Sequence, residues 1–183
     1  LYSDMEIRTM LKDIEIARKL GADGVVFGCL TADGEVDLTS MQILMEASKG
    51  LSVTFHRAFD VCRNPQKALE EIIELGCNRI LTSGQQPTAE QGIGLLKELQ
   101  GLAAGRITLL AGCGVNENNI ARIAAGTGIN EFHFSARESI QSEMKFRNEV
   151  VSMGGTVHIN EYERNVTSVR RVKETVEALY KGM

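Results

Sequence analysis

Five short apolar stretches recur along the chain, each running into polar or glycine residues: 21–30 (GADGVVFGCL), 51–60 (LSVTFHRAFD), 78–84 (NRILTSG), 106–115 (RITLLAGCGV) and 130–137 (NEFHFSAR). Measured from Gly24, Val53, Arg79, Arg106 and Glu131, successive stretches are 25 to 29 residues apart. Near-continuous apolar runs of this length predict strands covered by helices, and hence a parallel sheet. Between them the pattern changes to a helical period. In 3–21, Ile7, Met10, Leu11, Ile14 and Ala17 fall at helical intervals, with Ser3 as N-cap and Glu6 closing a capping box. In 64–76, Asn64 caps, Pro65 takes the first helical position and Gly76 stops the run. The stretches NENNIARIAAGTG and VTSVRRVKETVEALYKGM repeat the theme. Met41 and Met45, four residues apart, read as core positions of a further helix.

An unbroken series of equal strand–helix units, with no shift in composition, predicts a single α/β domain over 1–183. Within that class it favours a β/α barrel of the TIM type over a doubly wound sheet. GCGV (112–115) is too short for a dinucleotide-binding fingerprint. A complete barrel has eight strands over about 250 residues, whereas five strands are legible here. An open arc would expose Val25, Val26 and Phe27, and burying each large apolar side chain is worth roughly 1.5–3 kcal/mol. Its two unpaired edges would also invite aggregation. The expectation is therefore the last five strands of a longer barrel, with three N-terminal βα units outside the sequence.

Composition narrows the class. With 43% hydrophobic residues the chain can bury one sizeable core. Its 20 basic and 24 acidic residues are interspersed, and the absence of a basic stripe argues against a nucleic-acid partner. No apolar run is long enough to span a membrane, and LYSDMEIRTM lacks the layout of a secretory signal. Cys29, Cys62, Cys77 and Cys113 lie far apart without CxxC spacing, which predicts reduced thiols and a cytoplasmic location.

The strand ends carry the candidate chemistry. In a β/α barrel, working groups sit at the C-terminal ends of the strands. Here those ends supply His56, Arg57 and Asp60, then Ser83 beside Thr82 and Gly84, then Gly112 and Gly114, and last His133, Ser135 and Arg137. If Val53, Phe55, Phe132 and Phe134 face the helices, alternation turns Thr54, His56, His133 and Ser135 toward the barrel interior. His56 and His133 are then candidate acid–base groups, or else hydrogen-bonded structural residues. Arg57 and Arg137 either serve an anion or pair with Asp60 and Glu138 at the rim. The turn AGCGVNENN (111–119) leads into a helix N-terminus, an arrangement that suits an anion such as a phosphate, or is simply a tight turn. Lys145 and Arg147 could add charge from the loop after the last strand. His158 has no such context and reads as structural or exposed. No local spacing marks a metal site. Thiols and thioethers would suit Cu(I), while imidazoles would suit Zn(II) or Cu(II).

LYSDME, GADGVVFG, TFHRAFD, ILTSG, EFHFSAR, MKFRN and the late EY before VTSVRRV together resemble the CutC family of copper homeostasis proteins, in order and over essentially the whole chain. The resemblance implies a cytoplasmic, often homodimeric β/α barrel with a role in copper homeostasis, and copper, as Cu(I), is its implied ligand. It also implies that LYSD follows the third strand. The cysteines usually proposed as copper ligands in the family then lie outside this sequence, and the four present here are not those positions. Two readings stay open: a copper-handling barrel, and an enzyme acting on a small anionic or phosphorylated metabolite.

Overall fold

The computed structural model of the chain describes residues 1–157 and 159–181, so His158 lies outside the described residues. The elements run α1 (Asp4–Lys19), β1 (Gly24–Phe27), α2 (Leu38–Ala47), β2 (Ser52–Phe55), a 3-10 turn (Arg57–Val61), α3 (Pro65–Glu74), β3 (Arg79–Thr82), α4 (Ile93–Ala103), β4 (Thr108–Gly112), α5 (Ile120–Thr127), β5 (Glu131–His133), β6 (Arg137–Gln141), β7 (Glu163–Thr167) and α6 (Val169–Lys181). Capping chemistry fixes the helix starts. Glu6 Oε2 accepts from Ser3 N at 2.7 Å while Ser3 Oγ accepts from Glu6 N, which completes the capping box of α1. That bond to Ser3 N holds the Glu6 carboxyl below its ordinary pKa. Asn64 accepts from Lys67 N ahead of α3, and Gly76 leaves that helix at φ 84°.

β1 to β5 form one parallel sheet in the order β1-β2-β3-β4-β5. A doubly wound sheet reverses its strand order part-way, and this one never does. The chain is thus an arc of five βα-type staves, a partial β/α barrel. Alternation sorts the two faces. Val53, Phe55, Ile80, Leu109 and Ala111 point at the helices and are buried against Met41, Leu44, Leu69, Ile72, Leu96, Leu99, Ile120 and Ile123. The concave face is more open: Val26 is 62% exposed there. Across the same face the Arg79 Nε–Glu131 Oε2 ion pair spans β3 to β5 at 2.6 Å, and Arg79 Nη1 donates to Ser52 Oγ at 3.2 Å.

Two expectations are corrected. The stretch 130–137 is not one strand: β5 ends at His133, and Ala136 at φ 45° turns the chain out of the sheet. Ser135 and Arg137 therefore do not inherit the alternation of His133. Instead Arg137 opens β6, which pairs antiparallel with β7 in a separate hairpin. In that hairpin β6 alternates exposed and half-buried residues, β7 is mostly exposed, and neither has a long apolar run, so apolar content alone does not reveal it. The stretch 51–60 is also divided, since the strand stops at Phe55 and Arg57–Val61 wind into the 3-10 turn. Among the described residues, no helix is long and apolar enough to cross a membrane.

Candidate functional site

Asp60 is the hub of the strand-end groups. The 3-10 turn after β2 carries it across to the end of β3, where its side chain is only 5% exposed. There Oδ1 accepts from Thr82 Oγ1 at 2.6 Å, Ser83 N at 3.0 Å and Gln85 N at 3.2 Å, while Oδ2 accepts from Ser83 Oγ at 3.0 Å. The remaining partner is Arg57, whose Nε donates to Oδ2 at 2.7 Å. Arg57 Nη2 also donates to Ser83 Oγ at 3.1 Å, and the one hydroxyl proton of Ser83 has two acceptors in reach, Asp60 Oδ2 at 3.0 Å and Gln86 O at 2.6 Å. The carboxylate on its Nε raises the Arg57 pKa further above its ordinary value, so the guanidinium stays charged at any workable pH. Of the two readings of Arg57, the structure shows the pairing with Asp60, and it leaves the Arg57 side chain 44% exposed.

The two histidines differ. His56 Nδ1 accepts from Ala58 N at 3.2 Å and so caps the 3-10 turn. With Nδ1 accepting, the neutral ring carries its proton on Nε2. Burial lowers its pKa. Its ring lies against the backbone of Gly28, where a Cβ would come within 2.8 Å of Nδ1. His133 is exposed at the end of β5, in register with Gly112 of β4. No side-chain hydrogen bond joins it to another group among the described residues.

The glycine turn closes on itself. Asn116 N donates to Asn119 Oδ1 at 2.9 Å and Asn118 N to Asn116 Oδ1 at 2.9 Å, while Asn119 N and Ile120 N donate to Asn116 O. Gly112 is tight against Leu81, whose Cδ1 lies 2.6 Å from where a Cβ would be, and Gly114 takes φ 72°. Between them Cys113 holds φ 80°, its thiol donating to Pro87 O at 3.1 Å and lying beside the Arg57 guanidinium. The structure thus brings Arg57, Asp60, Ser83 and Cys113 together, with His56 and His133 on the flanking strand ends. It does not bring in the remaining candidates. Arg147 stacks on Tyr162 at 5.0 Å and reaches Gln141 at 3.4 Å, on the hairpin. Among the described residues, Lys145, Ser135 and the Arg137 side chain make no hydrogen bond or ion pair with the hub.

The family model for "CutC family" matches residues 1–138. The chain belongs to the CutC family. It is 76% identical over 179 residues to a CutC family protein of Bacteroides thetaiotaomicron, covering 98% of this chain and 72% of that one. It is 46% identical over 183 residues to the human copper homeostasis protein cutC homolog, covering 100% of this chain and 67% of the human protein. The crystal structure of CutC from Streptococcus agalactiae superposes with a TM-score of 0.70 at 34% identity, covering 73% of this chain and 65% of that one. The native KDPGal structure, at 13% identity and a TM-score of 0.56, shares the fold alone.

In this CutC-family chain the soft donors are dispersed. Burial pushes Cys29 and Cys62 up to about 11 and Cys77 up to about 12. Among the described residues, no group of three or more His, Cys, Asp or Glu side chains is placed to hold a metal ion. Two residues of the site escape a reading of strand ends. Gln85, at φ 55°, donates its amide N to Asp60 and its side chain to Cys62 O at 2.7 Å, which locks the β3–α4 loop onto the 3-10 turn. Gly28 makes room for His56. Its place directly after an apolar run is the signal that could have found it.

Proposed function

We propose that this chain is a cytoplasmic CutC-type protein of copper homeostasis that binds a small anionic ligand at the C-terminal ends of its strands. The observation that carries this is the pose of Arg57. Its guanidinium is fixed on one side by Asp60 and Ser83 while nearly half of the side chain stays open at the mouth. A fork held in one orientation loses little side-chain freedom when an oxyanion docks. An enzymatic form of this reading gives proton transfer to His56, as an Nε2–H donor, or to His133. The homodimer belongs to the same reading and rests on the family.

Direct Cu(I) binding is the second reading. It is favoured by the name of the human relative and by Cys113, the thiol that opens at the mouth beside Arg57. One pair of titrations separates the two. An anion site loses affinity in Arg57→Ala and ignores thiol alkylation. Anaerobic Cu(I) competition against a chromophoric chelator should instead depend on the thiols and survive Arg57→Ala. Thiol-dependent stoichiometric Cu(I) binding with no anion response would replace the first reading by the second.

A further inference from the structure

Three features of the mouth bear on which anion fits, and this step rests on the anion-site reading above. The first is the free edge of Arg57. Nε is spent on Asp60 and one N–H of Nη2 on Ser83. Nη1 has no oxygen acceptor among the described residues, and the neighbour beside the guanidinium is the Cys113 thiol, a weak acceptor that an oxyanion outcompetes. The edge left for a ligand is therefore the Nη1–Nη2 edge, whose two parallel donors match a planar two-oxygen acceptor.

The second is charge. Asp60, nearly buried against the guanidinium, already cancels its one positive charge. A monoanion meets a site that is neutral overall and polarised toward it. A dianion brings a second negative charge with no cation to receive it. Lys145 and Arg147 do not answer that need: Arg147 is held by Tyr162 and Gln141, and neither side chain makes a hydrogen bond or ion pair with the hub among the described residues.

The third is the state of the turn before α5, the place where barrels of this type commonly cradle a phosphate. Its amides at Asn116, Asn118, Asn119 and Ile120 are all bonded inside the turn. The Glu117 carboxylate also sits in that turn, paired with Arg171 at 3.0 and 3.1 Å. A phosphate there would have to break those bonds, and the Glu117–Arg171 pair offers it no net positive charge.

From these three features we infer that the mouth of this chain selects a small monocarboxylate over a phosphate, with Arg57 as a bidentate anchor and Asp60 as the residue that positions it.

The test uses acetate and inorganic phosphate as probes. They are titrated separately into the full chain at constant ionic strength, at a mildly alkaline pH where phosphate is a dianion, and followed by backbone and Arg Nε NMR shifts. Acetate should move the signals of Arg57 and Ser83 and bind at least about tenfold more tightly than phosphate. Arg57→Ala should abolish that response. Arg57→Lys keeps the charge and loses the fork, and should weaken acetate while leaving phosphate unchanged. Phosphate binding through Arg57 as tightly as acetate would overturn the monocarboxylate inference and leave the anion site standing. Failure of both probes to reach Arg57, with the far-UV spectrum and thermal midpoint intact, would overturn the inference and the anion site together. An acetate response that survives Arg57→Ala would overturn the anchor.

Discussion

Asp60 Oδ2 holds Arg57 Nε at 2.7 Å while its other oxygen gathers Thr82 Oγ1, Ser83 N and Gln85 N from the neighbouring strand end. One carboxylate thus fixes both the cation of the site and the loop that frames it. Asp60→Asn should separate these tasks. The amide oxygen can still accept from Thr82 and Ser83, but an NH2 in the place of Oδ2 faces the Arg57 donor and repels it. The expected stability loss is about 1–3 kcal/mol in denaturant unfolding, with Asp60→Ala at the upper end. In a cycle with Arg57→Ala the two losses should be non-additive. Strict additivity would mean that the pair contributes no coupling.

Much of this was legible beforehand, and the reason lies in local chemistry. The Ser3–Glu6 box, the Asn64–Pro65 start and the Gly76 stop are set by residues three or fewer positions from the bonds they make, so the sequence displays them. Equal spacing between apolar runs likewise exposes the five parallel strands. The hub was only half legible. Arg57 and Asp60 are three apart and invite pairing, but nothing local says that Asp60 reaches the amides of Ser83 and Gln85, more than twenty residues on. Ser135 and Arg137 failed for the opposite reason. Alternation ends at His133, because Ala136 takes a conformation that strands do not use. The hairpin of β6 and β7 has pairing but little burial, and apolar pattern reports burial.

His56 should make stability depend on pH. Its Nδ1 accepts the Ala58 N–H, and burial holds its pKa below the ordinary 6.5. As pH falls through the unfolded value, the unfolded chain takes up a proton that the folded chain resists, so stability drops. The contribution is fully present above pH 6.5 and is lost progressively down to the depressed folded value. His56→Asn retains a side-chain acceptor for Ala58 N and has no titrating ring. Its thermal midpoint should fall less than that of the parent between neutral and mildly acidic pH. Parallel curves for the two proteins would remove His56 from this role.

The four thiols should divide one against three. Cys29, Cys62 and Cys77 are buried, with pKa values pushed up to about 11, about 11 and about 12. Cys113 is half-exposed at the mouth. Under native, mildly alkaline conditions a thiol reagent should label one cysteine quickly, with peptide mapping placing the label at Cys113. The other three should react only as the chain unfolds. Rapid native labelling of a second cysteine would show that the core around it opens more readily than its burial implies.

Two glycines flank the start of α4 and should respond in opposite directions. A Cβ on Gly92 would sit 1.9 Å from Ser83 O, with the backbone of Gly84 close behind. Gly92→Ala must therefore displace the strand end that carries Ser83, and with it the Nη2 contact of Arg57. Backbone cannot yield as a side-chain tip can, so a loss above about 2 kcal/mol is expected, together with weaker anion binding. Gly94, two residues on and inside α4, meets nothing within 4 Å. Gly94→Ala removes the conformational freedom that glycine gives the unfolded chain and should stabilise by about 0.5–1 kcal/mol, leaving anion affinity unchanged. Denaturant midpoints of the two variants, measured beside the parent, read both effects. Equal responses would mean that the β3–α4 loop is looser than its contacts with Ser83 indicate.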